Sequence, residues 1–96
     1  MNDKQNQEQI AQLFKGFADP TRVHILTLLQ EGELCVNDIA HAVGLTQSAV
    51  SHQLSMLKQL HLIKYRRDGK NLLYCLADDH VRTILKMGLE HAQCAD

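Results

Sequence analysis

Ninety-six residues with a net charge of −1 and 45% apolar side chains fit one globular domain, near the lower end of comfortable core size, so pairing with a second copy would add stability. That apolar content argues against disorder. No run of about 18 apolar residues and no charged-then-apolar leader is present, so a cytoplasmic place and no membrane partner are expected; three cysteines without a C-x-x-C pair do not suggest a disulfide framework.

The charge is unevenly spread. Residues 1–51 carry three basic and six acidic side chains, residues 71–96 two and four, but residues 52–70 carry five basic ones (Lys58, Lys64, Arg66, Arg67, Lys70) and one acid, Asp68. Phosphates respond to such local charge within a Debye length.

In chain order, residues 1–8 are polar and expected to fray. Ile10, Leu13, Phe14 and Phe17 recur at helical spacing over Glu8–Phe17. Asp19-Pro20 starts a second helix, with Asp as N-cap and Pro at the first helical position, and Gly32 ends it. That helix, Thr21–Gln30, carries Val23, Ile25, Leu26, Leu28 and Leu29, enough to be buried on most sides. His24 in this run has no ligand partner and reads as structural or solvated.

Leu34–Gly44 reads as a short helix opened by Asn37 or Asp38 and closed by Gly44. Thr46 then caps a helix over Gln47–Leu60, since its hydroxyl can accept from a first-turn amide. At about 100° per residue, Gln47, Ser48, Ser51, His52, Ser55, Lys58 and Gln59 share one half of this helix, and Ala49, Val50, Leu54, Met56, Leu57 and Leu60 the other; Gln53 breaks the pattern. The polar half holds short hydrogen-bonding groups and no carboxylate. Such a face can sit close to a DNA major groove, where Gln pairs bidentately with adenine; a solvated helix that happens to lack acids is the plainer reading. Two short helices joined by a Gly-containing turn over residues 35–61 form a helix-turn-helix.

Leu62–Leu76 reads as a β-hairpin turning at Asp68-Gly69, with Arg66, Arg67 and Lys70 at its tip. A basic hairpin after a helix-turn-helix is a wing whose tip commonly meets phosphates or the minor groove; a solvated charged turn is the plainer reading. The expected DNA-contacting residues are Gln47, Ser48, Ser51 and His52 for bases or adjoining phosphates, and Lys64, Arg66, Arg67 and Lys70 for charge. Cys75 reads as a packed apolar residue.

Asp78 or Asp79 caps a last helix over residues 78–94. His80, Ile84, Met87, His91 and Cys94 fall in one sector of it, Val81, Leu85, Leu89 and Ala92 in another. His80 and His91 are about 16 Å apart along one helix, too far to share an ion. Two copies packed antiparallel bring His80 of one to His91 of the other, and a two-fold axis makes two equivalent sites. The ligand set is Asp78 and His80 from one chain with His91 and Cys94 from the second; O, N, N and S donors in fourfold coordination suit Zn²⁺. Asp79 and Glu90 are alternative carboxylates, and a metal-free pair of interfacial histidines is the plainer reading.

Ala18-Asp19-Pro20-Thr21-Arg22, Glu33–Ala40, Gln47–Leu54 and Asp78-x-His80 with His91 make the chain similar, over about residues 8–94, to the ArsR/SmtB family of metal-responsive repressors, and among these to the zinc sensors that use the last helix. The resemblance implies a single mainly α winged helix-turn-helix domain over residues 1–96 with a β-hairpin wing, acting as a homodimer and not an enzyme. It implies an apo form that binds an inverted-repeat operator beside efflux or resistance genes, metal weakening that binding. It also implies that His91 transmits the metal signal to a backbone acceptor around His61. The sequence departs from the family pattern twice. Asn37 stands where a second cysteine would complete the family's cysteine-type site, which leaves Cys35 packed or weakly reactive. Cys94 replaces the usual Glu or His, which brings Cd²⁺ forward beside Zn²⁺; Co²⁺ is the third ion, short of ligands for octahedral coordination. The competing functions are a repressor responding to thiol oxidation or Cd²⁺ through its cysteines, and a metal-buffering protein without DNA binding.

Overall fold

The computed structural model describes residues 3–94, with elements in the order α1 (Asp3–Lys15), α2 (Pro20–Gln30), α3 (Val36–Val43), α4 (Gln47–Gln59), β1 (Ile63–Asp68), β2 (Asn71–Leu76) and α5 (Asp79–Cys94). Helix α1 starts earlier than the apolar spacing suggests. Residues 3–8, expected to fray, continue the helix with their side chains exposed; residues 1 and 2 lie outside the described residues.

Helix α2 is the centre of the core. Ile25, Leu26 and Leu29 are fully buried, and Ile39 of α3, Val50, Leu54 and Leu57 of α4, Leu62 and Ile63, Leu76 of β2, and Val81 and Leu85 of α5 close around them. The Asp19-Pro20 start is as expected: the Asp19 carboxylate accepts from the Arg22 amide at 3.1 Å and Pro20 opens the helix. Gly16 is buried where α1 leaves its last turn, and a Cβ there would run into Cδ1 of Leu62. That close approach seats the end of α1 beside the base of the wing.

Helix α3 is capped by Cys35 without a side-chain hydrogen bond, not by Asn37 or Asp38. Asn37, inside the first turn, directs its side chain elsewhere. Gly44, at φ 72°, donates its amide to Ala40 O at 2.9 Å, and Leu45 donates to the same carbonyl at 3.1 Å; the left-handed turn suits a residue without Cβ. Thr46 caps α4 as expected, its hydroxyl accepting from the Ala49 amide at 3.1 Å.

The end of α4 is a paired C-terminal cap. His61 takes φ 61° and donates its amide to Lys58 O at 3.0 Å, while Leu62 donates to Leu57 O at 3.0 Å. This is the Schellman arrangement, with a histidine where glycine is usual; Leu57 and Leu62, the apolar pair that accompanies it, are both fully buried.

Strands β1 and β2 pair antiparallel from Ile63↔Leu76 to Asp68↔Asn71. The two-residue loop is therefore Gly69-Lys70, one residue later than the Asp68-Gly69 turn read from the sequence. Gly69 has φ 64° and Lys70 does not enter the left-handed region, which matches a hairpin turn with glycine in its first central position. Leu34 adds a short third partner, exchanging both backbone bonds with Tyr74 at 3.1 and 2.8 Å.

Candidate nucleic-acid interface and metal-ligand set

The packing of α4 turns its apolar half inward and its polar half out. Val50, Leu54 and Leu57 are buried, whereas Gln47, Ser48, Ser51, His52 and Ser55 are exposed. Gln53, the odd residue of the apolar half, is half-buried beneath Arg22, whose guanidinium donates to its Oε1 at 3.5 Å and to Lys15 O at 2.8 Å. A cation on the last carbonyl of α1 also complements the negative end of that helix. Arg22 thus joins the ends of α1 and α2 to α4.

Gln47 does not hang free. Its Nε2 donates to Asn37 Oδ1 at 2.8 Å, a side-chain bridge from α4 back to α3. Ser48, Ser51 and His52 take part in no side-chain hydrogen bond among the described residues and are open to solvent. Lys58 turns toward the wing, its ammonium 4.2 Å from the centre of the Tyr65 ring. Tyr65 in turn packs on Tyr74 with ring centres 5.5 Å apart.

Strand alternation sorts the wing's cations onto two faces. Arg67 shares a face with Ile63 and Tyr65, toward α4. Lys64 and Arg66 lie on the other, with Cys75 and Leu73 as their cross-strand partners. On that second face Arg66 meets Glu33, from the connection between α2 and α3. Its Nε and terminal nitrogen donate to the two carboxylate oxygens at 2.8 and 2.9 Å. These hydrogen bonds, and secondarily the guanidinium charge, hold the Glu33 carboxyl below its ordinary value; desolvation opposes them. The same bonds, with the Glu33 charge, raise Arg66 above its own. Arg66, expected to serve DNA phosphates, is already engaged in a bidentate pair, the strong form of charge-assisted hydrogen bond. Lys64, Arg67 and Lys70 make no ion pair among the described residues.

The last helix presents the other candidate residues. Asp78 divides its carboxylate: Oδ1 accepts from the Val81 amide at 3.0 Å and caps α5, while Oδ2 lies 3.8 Å from His80 Nδ1. The His80 side chain is 93% exposed. An uncommitted carboxylate oxygen and an exposed imidazole nitrogen thus already neighbour each other at one end of α5. His91 and Cys94 are exposed at the other end. Within one chain no three His, Cys, Asp or Glu side chains converge among the described residues. The four donors have the chemistry of a zinc site but only half of them are together in a single chain. His61 lines one groove with Asp78, His80, Glu8 and Gln12; His91 does not border it.

Sequence reasoning missed Glu33 and Asn37 as partners of Arg66 and Gln47. The pairing of Leu34 with Tyr74 sets Glu33 beside the wing, and nothing local signals that contact. Asn37 had a clue: a short Gly turn brings the end of one helix to the start of the next, and α3, at 8 residues, is only about 12 Å long, so even its first turn lies near that junction.

Residues 19–65 match the family model described as bacterial regulatory protein, arsR family. The chain is 44% identical over 89 residues to a transcriptional repressor SmtB homolog of Synechocystis sp., spanning 93% of this chain and 67% of that protein. It is 42% identical to a cadmium resistance transcriptional regulatory protein CadC homolog of Staphylococcus aureus, over 92% of this chain and 74% of the relative. Its fold superposes with a TM-score of 0.90, at 30% identity, on the homodimeric winged helix-turn-helix DNA-binding domain Mb0332 of Mycobacterium bovis, covering 97% of this chain and 88% of that one.

Proposed function

Because this chain belongs to the arsR family of bacterial transcriptional regulators, and is a winged helix-turn-helix protein and not an enzyme, we propose that it is a homodimeric, metal-sensing repressor of the cytoplasm. The observation that carries the DNA-reading part is the exposed, carboxylate-free face of α4 beside a wing with three uncommitted cations. Helix α4 enters the major groove, with Gln47, Ser48, Ser51 and His52 toward base edges, and Lys64, Arg67 and Lys70 serve phosphates. The helix turn and wing repeat in the second chain, which fits an inverted-repeat operator.

Dimerisation is supported by apolar surface that one chain leaves uncovered. Ile10 and Phe14 of α1 are 57% and 48% exposed and Met87 of α5 is 62% exposed, and Phe14, Ile84, Gly88 and Ala92 border a shared apolar groove between the two helices. Antiparallel pairing of α5 joins Asp78 and His80 of one chain to His91 and Cys94 of the second. Zn²⁺ is the ion the donors favour, with Cd²⁺ and then Co²⁺ behind it. When bound, the metal supplies a cross-link between the two last helices. The chain's own part is to translate that link: His91 holds its second ring N–H toward the backbone at the end of α4, where His61 sits in its left-handed turn. The arrangement of the two reading helices that this favours is the weaker DNA binder, with coupling of about 1–3 kcal/mol, and efflux or resistance genes are derepressed.

Fluorescence anisotropy on an inverted-repeat duplex at fixed salt, with and without Zn²⁺, tests this. Tight apo binding that falls with zinc, and stays tight in His80→Ala, is the expected result. Binding indifferent to zinc but lost with Cd²⁺ would reassign the ion, and loss only with a thiol oxidant would move the sensor to the cysteines. Absence of DNA binding would leave a metal buffer.

A further inference from the structure

Gln47 is the first residue of α4 and Asn37 lies in the first turn of α3. Both are exposed, so their 2.8 Å bond is not needed to satisfy a buried group. Asn37 also leaves the capping of its own helix unattended: α3 starts at Cys35 with no side-chain cap. The Asn37 amide is spent on orienting the neighbouring helix's first side chain.

A primary amide offers one acceptor oxygen and two N–H donors. Asn37 takes one donor of Gln47 and, with the side chain's own tether, restricts how the group can turn. One acceptor and one donor remain to face outward. In the major groove adenine presents one donor, N6–H, and one acceptor, N7, whereas guanine presents two acceptors, N7 and O6. An unrestrained glutamine can turn both N–H groups toward guanine; Gln47 held by Asn37 has only one to give. We propose that Asn37 is a specificity-determining positioning residue, which holds the Gln47 amide in the arrangement that accepts adenine and rejects guanine. This rests on the reading of Gln47 as a base-contacting residue.

The test uses the full-length dimer and an inverted-repeat duplex selected by the unaltered protein from a randomised library. Its half-site adenines are replaced one at a time by guanine, with cytosine opposite. In Asn37→Ala the adenine-over-guanine preference should fall by about fivefold at one position per half-site, the lower end of what a bidentate base contact contributes, with the salt slope unchanged. Asn37→Asp, whose carboxylate accepts the same N–H, should keep the preference while weakening all duplexes alike through phosphate repulsion. A purely structural role for Asn37 would move affinity and leave the ratio alone. The proposal is overturned if Asn37→Ala keeps the ratio while Gln47→Ala loses it, or if Asn37→Asp loses it as Ala does. If Gln47→Ala keeps the full ratio, or no adenine occupies a Gln47-dependent position, base reading by Gln47 fails and the proposal with it.

Discussion

Replacing Glu33 with glutamine should make DNA binding more sensitive to salt. In the native chain both carboxylate oxygens of Glu33 are filled by Arg66 at 2.8 and 2.9 Å, so the wing offers phosphates three cations per chain and not four. Glu33→Gln removes the competing charge and frees one guanidinium per chain, two per dimer. Each phosphate neutralised steepens the plot of log affinity against log salt by about 0.9; two add about 1.8. Across the fourfold rise from about 50 to about 200 mM salt, that is an extra loss of about 12-fold in affinity relative to the native protein. Anisotropy titrations over that range on one operator duplex measure it directly. The double variant Glu33→Gln/Arg66→Gln discards both partners and should return the native slope. A native-like slope in Glu33→Gln, or a slope flattened by about 1.8 in the double variant, would show that Arg66 leaves Glu33 for phosphate and would refute the reasoning.

Three further outcomes follow from the geometry. His61→Gly should stabilise the fold by about 0.5–1 kcal/mol, because the left-handed turn costs a side-chain-bearing residue about 1–2 kcal/mol and glycine returns part of that as chain entropy; a urea midpoint that falls would contradict it. Gly16→Ala sets a methyl against the buried Leu62 and should cost about 1–3 kcal/mol by overpacking, read as a lower urea midpoint without loss of slope. The Glu33–Arg66 pair carries an acid-side dependence. The Glu33 carboxyl lies below its ordinary 4.5 in the folded chain, so its contribution is present above that ordinary value and lost as pH falls through the depressed one. The stability difference between native protein and Glu33→Gln should therefore be flat near neutrality and shrink as acid protonates the carboxyl; a difference that does not change with pH would rule the pair out as its source.

Local signals in the sequence located most of the elements. Asp19-Pro20, Gly44, Thr46 and the alternation within α4 each state a boundary through the backbone chemistry of one or two residues, and the structure follows them. Errors arose where a boundary depends on competition between neighbours. Cys35 opens α3 although Asn37 is the better capping residue; Asn37 lies inside the first turn and accepts from Gln47. The hairpin turns at Gly69-Lys70 because pairing register, set from Ile63↔Leu76 outward, decides which two residues are left unpaired. Gln53 interrupts the apolar stripe of α4, and its partner, Arg22, lies 31 positions earlier, beyond the reach of any local pattern. The pairing of Arg66 with Glu33 is likewise not signalled locally, because the two lie 33 residues apart. The candidate metal residues were readable as a phase on one helix. Their convergence is expected only with a second copy; one chain sets Asp78 beside His80 and leaves His91 and Cys94 at the other end of α5.

The wing divides into two parts that differ in how replaceable they are. Its lower half is stitched on both sides, by Leu34 against Tyr74, by Glu33 against Arg66, and by Lys58 over Tyr65. Above Arg66, among the described residues, no side-chain hydrogen bond or cation–ring contact ties Arg67, Asp68, Asn71 or Leu72 to the helices, and the strand pairing carries that part of the wing. An isolated two-stranded hairpin is marginal in water, so the lower half acts as a socket and the tip as an exchangeable blade. Lengthening, shortening or re-charging the segment between Arg67 and Leu72 would change how far the blade reaches along a duplex without loosening the socket, which makes this loop the natural place to graft a new contact or a reporter.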